Sequence, residues 1–278
     1  MRAFLFNVWH NGDVILNRPL LLAIKSKYPS LDVLLGCDKN KAYLWEDLGY
    51  PIFSLNPSNG RIARHVTTRC AWTGTYTDIL TDFGYSVSDP ALPGVAHHMW
   101  PGTYLDILAS YGMTYQTQIL SFNRAFTTCD LSLAVDGSPK ISFPQKREIK
   151  VPNNSILVEN GSVDSGQSIM PLDAPILERL AKTFPQYCFI CSAKPNLLMP
   201  NILDFSGHNL IELSQVGDKA IAIISRGSAV HVCTLTEKNK SKPKFLCGWS
   251  CPWKIWDGDG LIYIKTHDEL ISALKERV

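Results

Sequence analysis

Short continuous apolar runs alternate with stretches of helical spacing along this chain, and the alternation occurs twice. In the first set "RAFLFNVW" reads as a strand buried on both faces, and Val14 to Tyr28 as a helix. "LDVLLGC" follows as a second strand, "KAYLWEDLG" as a short helix closed by Gly49, and "YPIFSL" as a third strand. Strands too apolar to face water on either side need helices over both faces, which is the pattern of a parallel α/β sheet.

The pattern then weakens. Asn56 to His98 reads as mostly irregular, with turn residues, a short "TDIL" and a "DPALPG" loop. "WPGTYLDILASYGM" returns to a helix, with Pro101 in its first turn and Gly112 after its last. "FPQKREIKVPNN" mixes charges, prolines and asparagines without period, so residues 144–154 are expected to link two domains, 1–143 and 155–278. The second set begins with strand "SILVEN", helix "LDAPILERLAKTF" and strand "YCFICS", then a short strand near "NILDFS" and strand "KAIAIIS". A helix from about Ser228, strands "PKFLCGW" and "GLIYIK", and a last helix "HDELISALKERV" complete it. The expected fold is therefore α/β, two Rossmann-like doubly wound domains facing across a cleft, with ligands at the carboxyl ends of the strands.

Composition narrows the class. With 278 residues, 45% hydrophobic and 19% charged, the chain has apolar material for two cores. A net charge of +2 is too small for a nucleic-acid footprint, although it allows peripheral contact with the inner face of a membrane. No run approaches the ~20 apolar residues of a membrane span, and "AFLFNVW" turns polar too soon for a secretory signal, so a cytoplasmic location is expected. Cys37, Cys188, Cys191 and Cys233 lie in or beside apolar runs, as reduced core thiols do. The "CFIC" pair sits in a strand that points its thiols to opposite faces, and Cys247 and Cys251 lack a second ligand pair, so no metal site is expected. "DGD" at Asp257 to Asp259 reads as a turn before the "LIYIK" strand, and no GxGxxG follows any strand.

Two segments carry chemistry. In "HNGDVIL" a carboxylate, Asp13, falls where the first strand gives way to the first helix. Asp13 either caps a helix beginning at Val14 or takes a proton from a bound hydroxyl. In "AIAIISRGSAVH" a buried strand ends in a turn that Gly227 permits, Ser228 can cap the next helix, and that helix's first N–H groups suit an anion such as a diphosphate. His231 falls in its first turn, either reaching toward a ribose or phosphate or packed in the core. The loop "ENGSVDSGQS" offers backbone N–H groups from Gly161 and Ser162 as an anion nest, with Glu159 and Asp164 able to bond hydroxyls. His97 and His98 are candidates for the acceptor or for a loop role, and the tryptophans of "WSCPWKIW" for ring stacking or a core edge.

"MRAFLFNVWHNGDVILNRPLLLAIKSKYP" resembles the opening of the heptosyltransferases, glycosyltransferase family 9. Gly12, Asp13, Val14 and Pro19 keep step with that family's glycine-aspartate-valine loop and early helix proline, and Asp13 falls on its proposed catalytic base. "YLDILASYGM" resembles a later helix of its first domain, and "NLIELSQVGDKAIAIISRGSAVHVCTL" its donor-site block. The resemblance implies a GT-B glycosyltransferase. The first domain would bind a glycan or glycolipid acceptor, with His10, Asn11, Gly12, His97 and His98 near it. The second would bind a nucleotide-diphosphate sugar through Glu159, Gly161, Ser162, Arg226, Gly227, Ser228 and His231. The sugar would move with inversion and without metal or further cofactor, the family's usual setting being cell-envelope polysaccharide.

Two positions depart from the family. Arg226 stands where an acidic residue is usual ahead of the small-residue turn, and Ser168 stands where a lysine is usual before a tryptophan-proline pair. Arg226 either replaces that lysine as the partner of the diphosphate, since a guanidinium grips phosphate oxygens in a planar fork, or marks a lost donor site. A sugar-nucleotide epimerase of the same fold and a non-catalytic nucleotide- or glycan-binding relative are the alternatives.

Overall fold

The computed structural model describes residues 2–55, 94–99, 107, 110, 115–134, 141–145, 147–163, 167–250 and 260–278. The chain divides into two compact units, one within Met1–Pro139 and one beginning at Lys140. Asp164, the helix expected over "WPGTYLDILASYGM" (apart from two isolated residues) and the "DGD" turn lie outside the described residues.

Among the described residues four strands build the first unit's sheet: β1 (Arg2–Asn7), β2 (Asp32–Asp38), β3 (Ile52–Leu55) and β4 (Gly94–His98). They are parallel, in the order β3-β2-β1-β4, with Phe6 opposite Gly36 on one side and His98 on the other. β1 is central, which is why its Ala3, Phe4, Leu5 and Phe6 are all buried and its sequence does not alternate. β4 corrects the irregular reading of the segment ending at His98. Its two histidines, adjacent in sequence, conceal the strand.

The helix expected over Val14 to Tyr28 is two: α1 (Asn11–Leu16) and α2 (Arg18–Lys27). Pro19, in the first turn of α2, cannot donate a backbone hydrogen bond to the preceding turn, and the chain breaks at Asn17. Two short 3₁₀ turns, Lys39–Leu44 and Glu46–Leu48, replace the expected helix before Gly49. Arg18, 1% exposed, fastens α2 to them through a two-pronged bond to Asp47 at 2.7 and 2.6 Å and a bond to the Leu44 carbonyl. A further helix, α3 (Tyr115–Ala125), packs Phe122 and the following Phe126 against the edge of His97.

The second unit holds six parallel strands: β5 (Ser155–Val158), β6 (Cys188–Cys191), β7 (Ile202–Asp204), β8 (Ala222–Ser225), β9 (Lys244–Cys247) and β10 (Leu261–Ile264). Their order is β10-β9-β8-β5-β6-β7. Among the described residues four helices accompany them: α4 (Ala174–Thr183), α5 (Leu210–Lys219), α6 (Ala229–Cys233) and α7 (His267–Arg277). Asn209 and Glu212 form a reciprocal capping box that starts α5, and Thr266 caps α7. Phe189, Ile224, Phe245 and Leu180 lie in the core of this unit. Ile141 and Ile149, in and ahead of the expected linker, are buried, Ile141 bonding to Leu235 and the Ile149 carbonyl receiving Lys219.

Both sheets reverse their winding direction once. The chain runs outward from β1 through β2 and β3, then returns to lay β4 on the other side of β1. In the second unit it runs from β5 to β7, then returns to lay β8 beside β5. At such a point the loops leaving the two neighbouring strands diverge and open a crevice, which is where open α/β sheets bind ligands. The topology therefore selects the loops after β1 and β4 in one unit, and after β5 and β8 in the other.

Candidate functional site

In the first unit, the strand-to-helix junction after β1 is held by buried amides. The Asn7 side chain accepts the Trp9 N–H at 2.9 Å and donates to the Asn17 side chain at 2.6 Å. Asn17 in turn donates to the Met99 carbonyl, just past β4, at 2.8 Å. Both asparagines are fully buried, and this relay stitches the exits of β1 and β4 to the α1–α2 break. From below, Trp45 donates its indole N–H to the Val14 carbonyl at 2.9 Å. α1 is thus anchored at its buried end, while the residues of its first turn are half-buried.

Asp13 is half-buried in that first turn. The helix begins at Asn11 with His10 at its cap, so the expectation of a helix starting at Val14 with Asp13 as cap is corrected by three residues. An acidic group there is favoured by the partial positive charge of the helix start. Lys41, which sequence reasoning passed over, donates to the Trp9 carbonyl. Burial pushes the Lys41 ammonium below its ordinary value, while the charges of Asp38, Cys37 and Asp13 act to hold its proton. Nothing in the sequence marks Lys41, because its approach depends on the 3₁₀ turn after β2. His10 is exposed, and Asn11 and Gly12 are half-buried as the first residues of α1 rather than members of a loop.

His97 and His98 are placed otherwise than in a loop. They end β4, 3% and 6% exposed, with His98 stacked on Phe6 at 5.0 Å and His97 edge-on to Phe122 and Phe126. Burial pushes both imidazoles down to about 3, so at neutral pH they are uncharged.

In the second unit, Glu159 follows β5 and Arg226 follows β8. Glu159 is 2% exposed. Its Oε2 accepts the Arg226 amide at 2.6 Å and its Oε1 accepts the Ser228 hydroxyl, while the nearby Gly227 and Ser228 amides favour its charged form. Each carboxyl oxygen thus takes one bond from the turn, an amide on Oε2 and a hydroxyl on Oε1. The expected hydroxyl-binding role for Glu159 therefore meets a group already engaged inside the protein. Burial outweighs those bonds and pushes the carboxyl up to about 7.

Gly227 makes this wrap possible: its φ is +78°, and a Cβ there would come within 2.7 Å of the Trp249 ring. Trp249 belongs to a short antiparallel bridge with Ser168, and so packs on the turn. Ser228 is the cap of α6, but its hydroxyl serves Glu159 rather than the helix, and α6 has five residues. His231 is fully buried, its Nδ1 2.8 Å from the Ser225 hydroxyl, and burial with the nearby Lys244 charge pushes it down to about 3. It faces the core rather than solvent.

The guanidinium of Arg226 reaches to Gly161 and Ser168, and its charge also acts on Glu159. Nη1 donates to the Gly161 carbonyl at 2.8 Å, Nε lies 3.4 Å from the Ser168 hydroxyl, and Nη2 3.4 Å from the Ser168 carbonyl. These acceptors are neutral, and among the described residues Arg226 makes no ion pair. Asn160 fixes the Gly161 loop by a reciprocal 2.9 Å pair with the Ala193 backbone, and Ser162 beyond it is exposed. Among the described residues no cluster of three or more His, Cys, Asp or Glu could hold a metal ion, and no helix is long and apolar enough to cross a membrane.

Two doubly wound parallel sheets in successive units of one chain match the architecture of the GT-B fold. Solved structures carry the comparison further. The chain is similar to glycosyl transferase family 9 from Veillonella parvula, at 13% identity, covering 99% of this chain and 90% of that one, with a TM-score of 0.59. It is also similar to the E. coli ADP-heptose lipopolysaccharide heptosyltransferase II, at 11% identity, 99% and 98% coverage and a TM-score of 0.63. E. coli heptosyltransferase WaaC with ADP matches at 11% identity over the whole of both chains, also with a TM-score of 0.63. No family model matches the sequence, and no curated protein does.

Proposed function

We propose that the chain is a glycosyltransferase that moves a sugar from a nucleotide-diphosphate donor to a hydroxyl of a glycan or glycolipid, with inversion and without a metal. The first unit would present the acceptor hydroxyl to Asp13, which takes its proton as the oxygen attacks the anomeric carbon. The bond from that carbon to the diphosphate oxygen breaks, and its electron pair leaves with the diphosphate. In the second unit Arg226 would balance the charge so released, with the Gly161–Ser162 loop alongside.

The observation that carries the reading is the course of Arg226. It starts from the position where the family usually has an acid and ends beside Ser168, the position where the family usually has a lysine. A cation is thereby returned to the lysine's place, directed by carbonyl and hydroxyl groups. Asp13, half-buried at the corresponding switch point of the first unit, supports the same reading. The solved neighbours include heptosyltransferases, one of them holding ADP.

The test is a thermal-shift panel of nucleoside diphosphates and nucleotide sugars against wild type and Arg226→Ala. A ligand that binds the native state alone raises its melting temperature. A shift in wild type that shrinks in the variant supports the proposal, whereas equal affinity removes Arg226 from the donor site.

A further inference from the structure

Glu159 has the features of a support rather than a ligand contact. It sits at the Arg226–Gly227–Ser228 turn, one oxygen taken by the Arg226 amide and the other by the Ser228 hydroxyl. Its own N–H donates to the Ile224 carbonyl at 2.8 Å, which extends the pairing of β5 with β8 by one bond and fixes the carboxyl group under the turn. The turn cannot rearrange without breaking several of these bonds together. Since Arg226 is its first residue, the direction of the guanidinium follows from the grip of Glu159 on the amide behind it.

We propose that Glu159 is a positioning residue for the donor, its carboxyl holding the Arg226–Ser228 turn in the shape that aims the guanidinium, and that donor binding is accompanied by uptake of one proton at this carboxyl. The inference rests on the donor-site reading of Arg226. A diphosphate drawn to Arg226 brings negative charge toward a second negative charge that is already poorly solvated, and like charges disfavour the ionised carboxylate. Burial has brought Glu159 to about 7, so protonation is within easy reach. The proton, taken from solvent, fits on Oε1 with the Ser228 hydroxyl turned to accept it, while Oε2 keeps the Arg226 amide.

The other titratable or charged groups acting on Glu159 or acted on by it, among the described residues, are Arg226, Cys233 of α6 and Cys247 of β9. Burial pushes both thiols far above neutrality, so they stay uncharged over the relevant range. The arginine is a constant cation. Glu159 is therefore the group of this set that changes charge near pH 7.

The experiment is calorimetric titration of the full chain with ADP-glucose and UDP-glucose, whose phosphodiesters do not titrate near neutrality, from pH 6 to 9 in buffers of different ionisation heat. For wild type, Kd should rise above pH 7 by up to about tenfold per pH unit, with close to one proton taken up on binding. Glu159→Gln, which keeps shape and removes charge, should abolish both the slope and the proton uptake. Glu159→Ala should raise Kd at every pH and speed amide exchange at residues 226–228, a readout that needs no ligand.

A pH-independent Kd in wild type, or a slope retained in Glu159→Gln, overturns the proton uptake while leaving Arg226 in the donor site. Unchanged amide exchange in Glu159→Ala overturns the positioning role directly. Absence of binding by either nucleotide sugar at any pH overturns the donor-site reading and this inference with it.

Discussion

Arg226 reaches from the end of β8 to Ser168, its Nε 3.4 Å from the serine hydroxyl and its Nη2 3.4 Å from the serine carbonyl. Those are long bonds, so the guanidinium is steered more than locked, and the 2.8 Å bond to Gly161 is the firm one. Removing the cation in Arg226→Ala should cost a charge-assisted contact worth about 1.5–3 kcal/mol, or roughly 10–100-fold in donor affinity. Adding Ser168→Lys to that variant puts an ammonium where the guanidinium lay and should recover part of the loss. Calorimetry with the nucleotide sugar found in the thermal-shift panel decides it; no recovery would mean that the cation's place beside residue 168 is incidental.

Asp13→Asn should leave donor affinity unchanged while lowering kcat by about 10²–10⁴-fold, the usual worth of a positioned general base. Asparagine keeps the size of the side chain and forfeits the attraction of a carboxylate for the helix start, a loss of about 0.3–1 kcal/mol. Melting temperature should therefore fall only slightly, which separates lost chemistry from lost folding. Full turnover in Asp13→Asn would exclude the base.

The second unit was largely legible in the sequence because β5, β8 and β9 are buried along their whole length and each carries three successive apolar residues. The first was legible only where the same holds. β4 escaped because its last two residues are histidines, whose burial comes from stacking on Phe6 and on the phenylalanines that end α3. α3 escaped because Thr117, Gln118 and Ser121 are buried on it, which blurs its apolar stripe. At the candidate site, Asp13 and Gly227 could be singled out from local pattern, and Arg226 only as a departure from the resembled family. The engagement of Glu159 could not, since it depends on β5 and β8 being neighbours, a consequence of sheet order rather than of any motif.

Gly227→Ala should damage the turn more than its size suggests. The residue sits at φ +78°, where a side chain costs on the order of 1–3 kcal/mol, and the added methyl group would meet the Trp249 ring at 2.7 Å. A fall in the stability of the second unit, together with faster amide exchange at residues 226–228, is the expected result. An alanine variant as stable as wild type would show that the turn is looser than its glycine implies.

Asn17→Leu should destabilise the first unit out of proportion to the change in volume. It strands the Asn7 amide and the Met99 carbonyl, two buried groups that now pair with Asn17 at 2.6 and 2.8 Å. An unsatisfied buried partner costs about 1–3 kcal/mol, so a loss of about 2–6 kcal/mol is expected by urea unfolding. Donor affinity, which the proposed function assigns to the second unit, should hold in the fraction that stays folded. Loss of less than 1 kcal/mol would mean that water replaces the missing amide.

Acid should unfold the two units unequally. His97 and His98, pushed by burial down to about 3, bind fewer protons when folded than when unfolded, where imidazole takes its proton near 6.5. Below about pH 6.5 the unfolded state therefore gains on the folded one, and the first unit should lose at most about 2.7 kcal/mol per pH unit toward pH 3. In the second unit His231, also near 3, acts in the same direction, but Glu159 acts against it. Raised to about 7, that carboxyl keeps a proton in the folded state that the unfolded chain releases above about 4.3, so lowering the pH from 7 to 4.5 favours folding. The two roughly offset each other over that interval. Amide exchange followed from pH 7.5 to 5 should show the β1 and α3 segments losing protection well before β5 and β8, and Glu159→Gln should make the second unit acid-sensitive as well. Equal loss of protection in both units would mean that the buried histidines become hydrated before the sheet opens.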